Sequence, residues 1–177
     1  MINKGFRLLI ISGLMLSLAA CQSQPGDYDE NIINTSHQAA KILINNAARG
    51  TNPNKPLIFA SFVNINNLKS SSSFGRIVSQ QISTYFTSNG YKVIEMLLRQ
   101  NVYIEQQQGE FLLSRELKNI SEQHNAQAVV VGTYAIGKDA IYITTKMVDA
   151  KTNLVISSVD YSLPMTSNTR SLLKGSR

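Results

Sequence analysis

Along this 177-residue chain, apolar positions recur first at helical and then at strand spacing. Ile32, Ser36, Ala39, Ala40, Leu43, Ile44 and Ala47 make one apolar face and predict a helix from Asp29 to about Arg49. Asp29 can cap it, and Asp27, Asp29 and Glu30 put negative charge where the helix dipole favours it. Gly50 suits the position just past its end, and Thr51 to Lys55 is a polar loop with Pro53. Pro56 to Val63 is almost wholly apolar and predicts a central strand buried on both faces. After a polar connection from Asn64 to Ser73, a second helix is marked by Phe74, Ile77, Val78, Gln81, Ile82, Tyr85 and Phe86. Ser72 or Ser73 can cap it, and Asn89-Gly90 ends it.

Tyr91 to Met96 predicts a second strand. Leu97 to Ile104 reads either as its extension or as loop, and Glu105 to Glu110 as a polar turn. Ser114 can cap a third helix running to about His124, with Leu113, Leu117 and Ile120 as its buried stripe. Ala128 to Ile136 predicts another buried strand, followed by a tight turn at Gly137-Lys138-Asp139. From Ala140 to Val148, Ile141, Ile143 and Met147 alternate with Tyr142, Thr144 and Lys146. Asp149 to Asn153 is a turn, and Val155, Val159, Tyr161 and Leu163 give the last strand an apolar face. Beyond Pro164 the chain is a polar tail, with a short helix near Thr169 to Lys174. The order α-β-α-β-α-β-β-β predicts an α+β domain. Two parallel crossovers and an antiparallel meander form a mixed β-sheet with helices packed on it.

The first 20 residues follow a different logic. Lys4 and Arg7 precede an 11-residue apolar run, Leu8 to Leu18. That run is too short to span a bilayer and suits the apolar region of a signal peptide. Leu18-Ala19-Ala20 then meets Cys21, the single cysteine of the chain. Small residues before a cysteine resemble the lipobox of bacterial lipoproteins. The resemblance implies a diacylglyceryl group on the Cys21 thiol, cleavage between Ala20 and Cys21, and acylation of the new amino terminus. One acyl chain binds a membrane marginally, and a second makes anchoring stable. Gln22 follows Cys21 where an aspartate would resemble inner-membrane retention, so the pattern resembles outer-membrane cargo.

These signals divide the chain into a signal peptide (1–20), a lipidated cysteine with a short tether (21–28), one α/β domain (29–163) and a polar tail (164–177). Seven tether residues, 22 to 28, reach roughly 25 Å, which keeps the domain near its membrane. Removing two basic leader residues from 17, against 11 acidic ones, leaves a net charge of +4. That is mildly basic without a block of like charge. The export signal also argues against a nucleic-acid partner. With Cys21 lipidated, no thiol remains for a disulfide or a metal, and packing alone must hold the fold.

Candidate chemistry is sparse. His37 and His124 have no histidine or cysteine at ligand spacing, and Glu122 and His124 fall on different helix faces, so no metal site is expected. Ser70 to Ser73 lack a G-x-S-x-G elbow or an S-x-x-K motif and read as loop plus helix cap. Gly75-Arg76 at a helix start could receive an anion, although the phosphate-loop pattern is absent. Glu110, Arg115 and Glu116 lie in a polar stretch suited to helix-start charge and local pairing. Tyr91, Tyr103, Tyr134, Tyr142 and Tyr161 fall mostly in strands, where packing is their default role. No catalytic residue and no cofactor are expected. The reading is a lipid-anchored protein that binds other proteins.

Several segments together resemble the FlgO family of flagellar outer-membrane lipoproteins. They are Phe59-Ala60-Ser61-Phe62-Val63, Leu68 to Ser73, Phe74-Gly75-Arg76, Gly90 to Glu95, Gly109 to Leu117, Val131-Gly132-Thr133-Tyr134 and Val148-Asp149-Ala150. The resemblance spans roughly residues 30 to 163. It implies a protein needed for motility, associated with the flagellum at the outer membrane and without known catalytic residues. It also implies a fold similar to the amino-terminal domain of TolB and to the periplasmic parts of CsgG and LpoB. Partners would be the membrane, through Cys21, and flagellar or other envelope proteins, with a homo-oligomer left open. Two alternatives stand beside this. One is a regulatory lipoprotein activating a cell-wall synthase, as LpoB does, which the short tether disfavours. The other is a secretion-channel subunit like CsgG, for which Lys146, Asp149 and Asp160 suit a soluble sheet better than a membrane hairpin.

Overall fold

The computed structural model describes residues 28–47, 50–68, 71–96 and 115–174. Helix α1 spans Tyr28–Ala47, and the short strands β1 and β2 span Leu57–Ala60 and Val63–Asn64. Helix α2 (Ser73–Ser88), β3 (Val93–Met96) and α3 (Arg115–Gln123) follow. The chain continues with β4 (Ala128–Ile136), β5 (Ala140–Asp149), β6 (Val155–Pro164) and α4 (Ser167–Lys174). The six strands make one mixed sheet ordered β3-β1-β4-β5-β6, with β2 also pairing to β4. β1 lies parallel to β3 and β4, and β4, β5 and β6 run antiparallel as two hairpins. The mixed α+β architecture follows the pattern read from sequence.

The two sheet faces carry unequal cores. On one, α1 and α2 bury Leu43, Ala40, Val78, Ile82 and Phe86 against Leu57, Phe59, Val130, Ile143 and Met147. Phe59 meets Phe86 edge-on with ring centres 5.2 Å apart, and Phe86 meets Tyr91 at 5.3 Å. On the other, Leu117 of α3 sits with Ile58, Ala60, Val129, Val131 and Val148. β1 and β4 are therefore buried on both sides, which explains their unbroken apolar sequences.

Three details depart from the sequence pattern. Pro56 to Val63 is not one strand: pairing breaks at Ser61-Phe62, and Val63–Asn64 then pairs separately with Thr133 and Tyr134. The physical reason is Phe62. It turns inward, fully buried, where a straight strand would have kept pairing. Tyr91 and Lys92 precede the second strand, which begins at Val93. Val155 does not join the apolar face of β6. A register shift opposite Met147 and Val148 takes up Ile156, so Val155 is exposed and Ser157, Val159, Tyr161 and Leu163 point inward.

The segment after Pro164, read above as a polar tail with a short helix near Thr169 to Lys174, forms α4 from Ser167 to Lys174. It packs on α2, with Thr169 buried and Leu172 and Leu173 half-covered against the larger core. Its first turn is held locally, the Thr169 N–H donating to Thr166 Oγ1 at 3.1 Å. Leu97 to Ile104, the turn at Glu105 to Glu110 and Leu113 lie outside the described residues, as do Ala20 and Cys21.

Candidate functional site

Phe62 is the meeting point of three separate sequence segments. Its ring lies directly on Gly132 of β4, where a Cβ would overlap the ring. Its carbonyl oxygen lies against Gly75 of α2, where a Cβ would overlap it as well. The Phe62 N–H donates to the Gly75 carbonyl at 3.2 Å, and Ser71 Oγ donates to the Phe62 carbonyl at 2.8 Å. Ser79 Oγ donates to the Ala60 carbonyl at 2.8 Å, tying the end of β1 to the same helix. Ser72 caps α2 by accepting from the Gly75 N–H at 3.2 Å, and its hydroxyl pairs with Tyr134 at 2.7 Å. Tyr134 in turn meets Phe74 edge-on at 5.3 Å.

This node lies just beyond the carboxyl end of β1. The same contacts engage the groups considered above for an anion. Arg76 donates to the Ser71 carbonyl and to Ser73 Oγ, each at 3.1 Å, and the Gly75 N–H is taken by the cap. Ser71, Ser72 and Ser73 are thus loop and cap residues, and Ser70 lies outside the described residues.

The other candidates are dispersed. His37 is half-buried on α1 with its ring 5.4 Å from that of Tyr85, while His124 and Glu122 are exposed beyond and on α3. Among the described residues no group of three histidine, cysteine or acidic side chains could hold a metal ion. Arg115 and Glu116 open α3, and Glu110 lies outside the described residues.

At the opposite end of the sheet is an open, polar pocket of about 380 Å³, whose lining includes Asn52, Lys55, Gln127, Asp149 and Lys151. Its polar groups are largely committed to holding loops. Gln127 accepts from the Asn52 N–H at 2.8 Å and donates to the Asn52 and Lys55 carbonyls at 2.7 and 2.8 Å. Asp149 Oδ1 accepts from the N–H groups of Lys151 and Thr152 and from the Thr152 hydroxyl. Burial pushes the Asp149 carboxyl pKa up, but these hydrogen bonds and the Lys151 charge outweigh it and hold the pKa below the ordinary value.

A surface suited to a protein partner lies on the α3 side of the sheet, across β4, β5 and β6. Tyr142, opposite Ala135 in the ladder, is 60% exposed although it stands in the middle of regular pairing. Ile65 follows β2, donates from its N–H to the Tyr134 carbonyl at 3.0 Å, and is 53% exposed beside this row. Around them lie Thr133, Thr144, Lys146, Ser158 and Asp160, half-buried or exposed. An aromatic anchor held on rigid strands with a polar surround is the composition of a protein–protein contact. Sequence alone marked Tyr142 only as the outward member of an alternating strand. Nothing local showed that α3 would cover β1 and β4 and leave this half of the face without a described element over it.

Taken together, the described residues form a mixed-sheet domain with the Phe62 node at one end of β1 and Tyr142 exposed on one face. The FlgO protein family model matches residues 37–168, and the chain belongs to that family. No curated protein sequence matches it. Among solved structures, the LpoB C-terminal domain from Escherichia coli is similar at a TM-score of 0.50 and 14% identity, covering 75% of this chain and 98% of that one. The LpoB C-terminal domain from Salmonella enterica gives 0.48 and 15%, covering 72% and 97%. The first of these likenesses shows a shared fold. The family supports a cell-envelope lipoprotein. No described helix is long and apolar enough to cross a membrane.

Proposed function

We propose that this chain is a non-catalytic outer-membrane lipoprotein that supports flagellar assembly, stability or motility. Cleavage after Ala20 leaves Cys21 lipidated, and the tether of residues 22 to 28 holds the domain within roughly 25 Å of the membrane. The domain then presents the Tyr142 surface to other envelope proteins on the periplasmic side. The observation that carries this reading is the family match across residues 37–168, which takes in Phe62, Gly75 and Gly132. The test is a clean deletion scored by soft-agar swimming and electron microscopy of the cells. Lost swimming with absent, fewer or damaged flagella, restored by wild type but not by Cys21→Ala, is the expected result. Normal flagella and normal swimming reject the flagellar role.

The likeness to the LpoB C-terminal domain favours a second reading, activation of a cell-wall synthase. It has the fold behind it, and a shared fold does not carry function across. The short tether weighs against reaching an inner-membrane enzyme. Specific capture of a penicillin-binding protein by the purified domain would promote this reading over the first.

A further inference from the structure

Strand β6 ends the sheet on the side away from β3, and no described strand pairs with its outer edge. The ladder decides which of its backbone groups face that edge. The Met165 N–H donates to the Asp139 carbonyl at 2.9 Å, so Ala140 and Pro164 form a non-hydrogen-bonded pair and Ile141 and Leu163 a hydrogen-bonded one. Leu163, Tyr161 and Val159 therefore direct their N–H and C=O groups to β5, while Ser162, Asp160 and Ser158 turn theirs outward. The outward three are exposed. Edge strands are usually guarded by lysine, proline, a bulge or shortness. β6 runs for ten residues without lysine or arginine, and its proline is its last residue. Its bulge at Ile156 leaves Ser157 to Leu163 in regular pairing, with Asp160 as the one charge.

Helix α1 carries an exposed apolar position at the same edge. The Leu43 carbonyl accepts from Ser157 Oγ at 3.0 Å, and the Tyr161 phenol lies against the Ser36 and Thr145 hydroxyls. α1 thus runs antiparallel to β6, with Ala39 about level with Val159. On one flank α1 meets α2, where the rings of His37 and Tyr85 are 5.4 Å apart. Thr35, Ala39, Ile42 and Asn46, spaced i, i+4, i+7 and i+11, form the other flank, on the side of the β6 edge. Ile42 is 44% exposed there.

We propose that β6 pairs antiparallel with β6 of a second copy of this chain, about a two-fold axis at Val159, joining two sheets into one. The residues at the edge select this register. Centring on Asp160 sets it against its own copy, like charge on like charge. Centring on Tyr161 sets Ser158 against Pro164, which has no N–H. Centring on Ser158 sets Asp160 against the bulge at Ile156. Centring on Val159 pairs Ser158 with Asp160 twice, a hydroxyl donor opposite a carboxylate acceptor each time. Lys146 neighbours Ser158 on β5, which puts it about 10 Å, or two strand spacings, from Asp160 of the other copy. A lysine side chain can bridge most of that gap. The axis also lays the two α1 helices side by side and antiparallel, with Ala39 near the axis and Ile42 of each copy facing Thr35 of the other. An extended peptide from another protein would use the same backbone groups and leave Ile42 uncovered. A second copy accounts for both.

The test is cysteine crosslinking of the full chain purified in detergent. Val159→Cys sets two thiols across a non-hydrogen-bonded pair with Cα atoms about 4.5 Å apart, within disulfide range. In Asp160→Cys the two thiols fall two residues out of register, with Cα atoms roughly 8–9 Å apart and beyond that range. A reducible band of two chains from Val159→Cys is expected, absent from the wild type with Cys21 alone and from Asp160→Cys. Monomer alone from Val159→Cys overturns the proposal, as does an equal band from Asp160→Cys. Light scattering tests it without a cysteine in β6. The wild type should have the mass of two chains, and Ile42→Asp, at an exposed site, should halve that mass with its thermal melt unchanged. A single-chain wild type overturns the proposal, as does a folded Ile42→Asp that stays paired. Swimming has no bearing on these readouts, so this contact and the flagellar role stand or fall separately.

Discussion

Ser72 and Tyr134, 62 residues apart in sequence, join hydroxyls at 2.7 Å and so fasten the cap of α2 to the middle of the sheet. The same serine accepts from the Gly75 N–H, so one side chain both starts the helix and sets its distance from β4. Removing the Ser72 hydroxyl therefore loses a cap and orphans a phenol at once. Ser72→Ala should cost about 1–3 kcal/mol. Tyr134→Phe should cost less, and the double variant should fall short of the sum by about 0.5–1.5 kcal/mol. Denaturant unfolding of the four proteins measures this, and strict additivity would show that the two hydroxyls are not coupled.

Gly132→Ala should destabilise the domain by about 1–3 kcal/mol, because the new methyl group meets the ring of a fully buried Phe62. Trimming the ring in a Gly132→Ala/Phe62→Leu pair should recover part of that loss. Gly75→Ala should not be rescued in this way, since its methyl group meets the Phe62 backbone carbonyl. Thermal melts of the series separate the two cases.

Burial pushes the Tyr161 phenol well above its ordinary value of 10.0. The unfolded chain gives up that proton first, so the stability from Tyr161 is complete below about pH 10 and falls as pH rises above it. Tyr161→Phe should flatten the alkaline fall in stability. Asp149 acts in the opposite direction, its carboxyl held below the ordinary 3.8. Its contribution is complete above that value and is lost as pH falls through the lower folded pKa. Asp149→Asn should remove this acid-side dependence in unfolding curves taken between about pH 5 and pH 2.

Tyr142→Ala should leave stability within about 0.5 kcal/mol, because the side chain is largely in solvent. If the Tyr142 face is the partner surface, the same variant should reduce swimming and crosslinking to envelope proteins while remaining folded and membrane-associated. Wild-type swimming from a fully folded Tyr142→Ala protein would move the partner surface elsewhere.

The sequence alone determined most of the elements and most of their buried sides. The stripe from Ile32 to Ala47, the unbroken apolar runs at β1 and β4, and the alternation of β5 all follow from local periodicity, because an element's own pitch decides which residues share a face. It also indicated, by their types, that the serines before α2 were cap and loop residues. It could not show that Phe62 would leave its strand, that Ile156 would be absorbed by a bulge, or that Ser36, Thr145 and Tyr161 would meet. Those outcomes depend on groups distant in the chain, as Ser72 and Tyr134 are. Only tertiary packing decides which side chain fills a space that a remote glycine leaves open. The same packing set the Tyr142 surface, since what remains exposed on a sheet is fixed by where the helices settle.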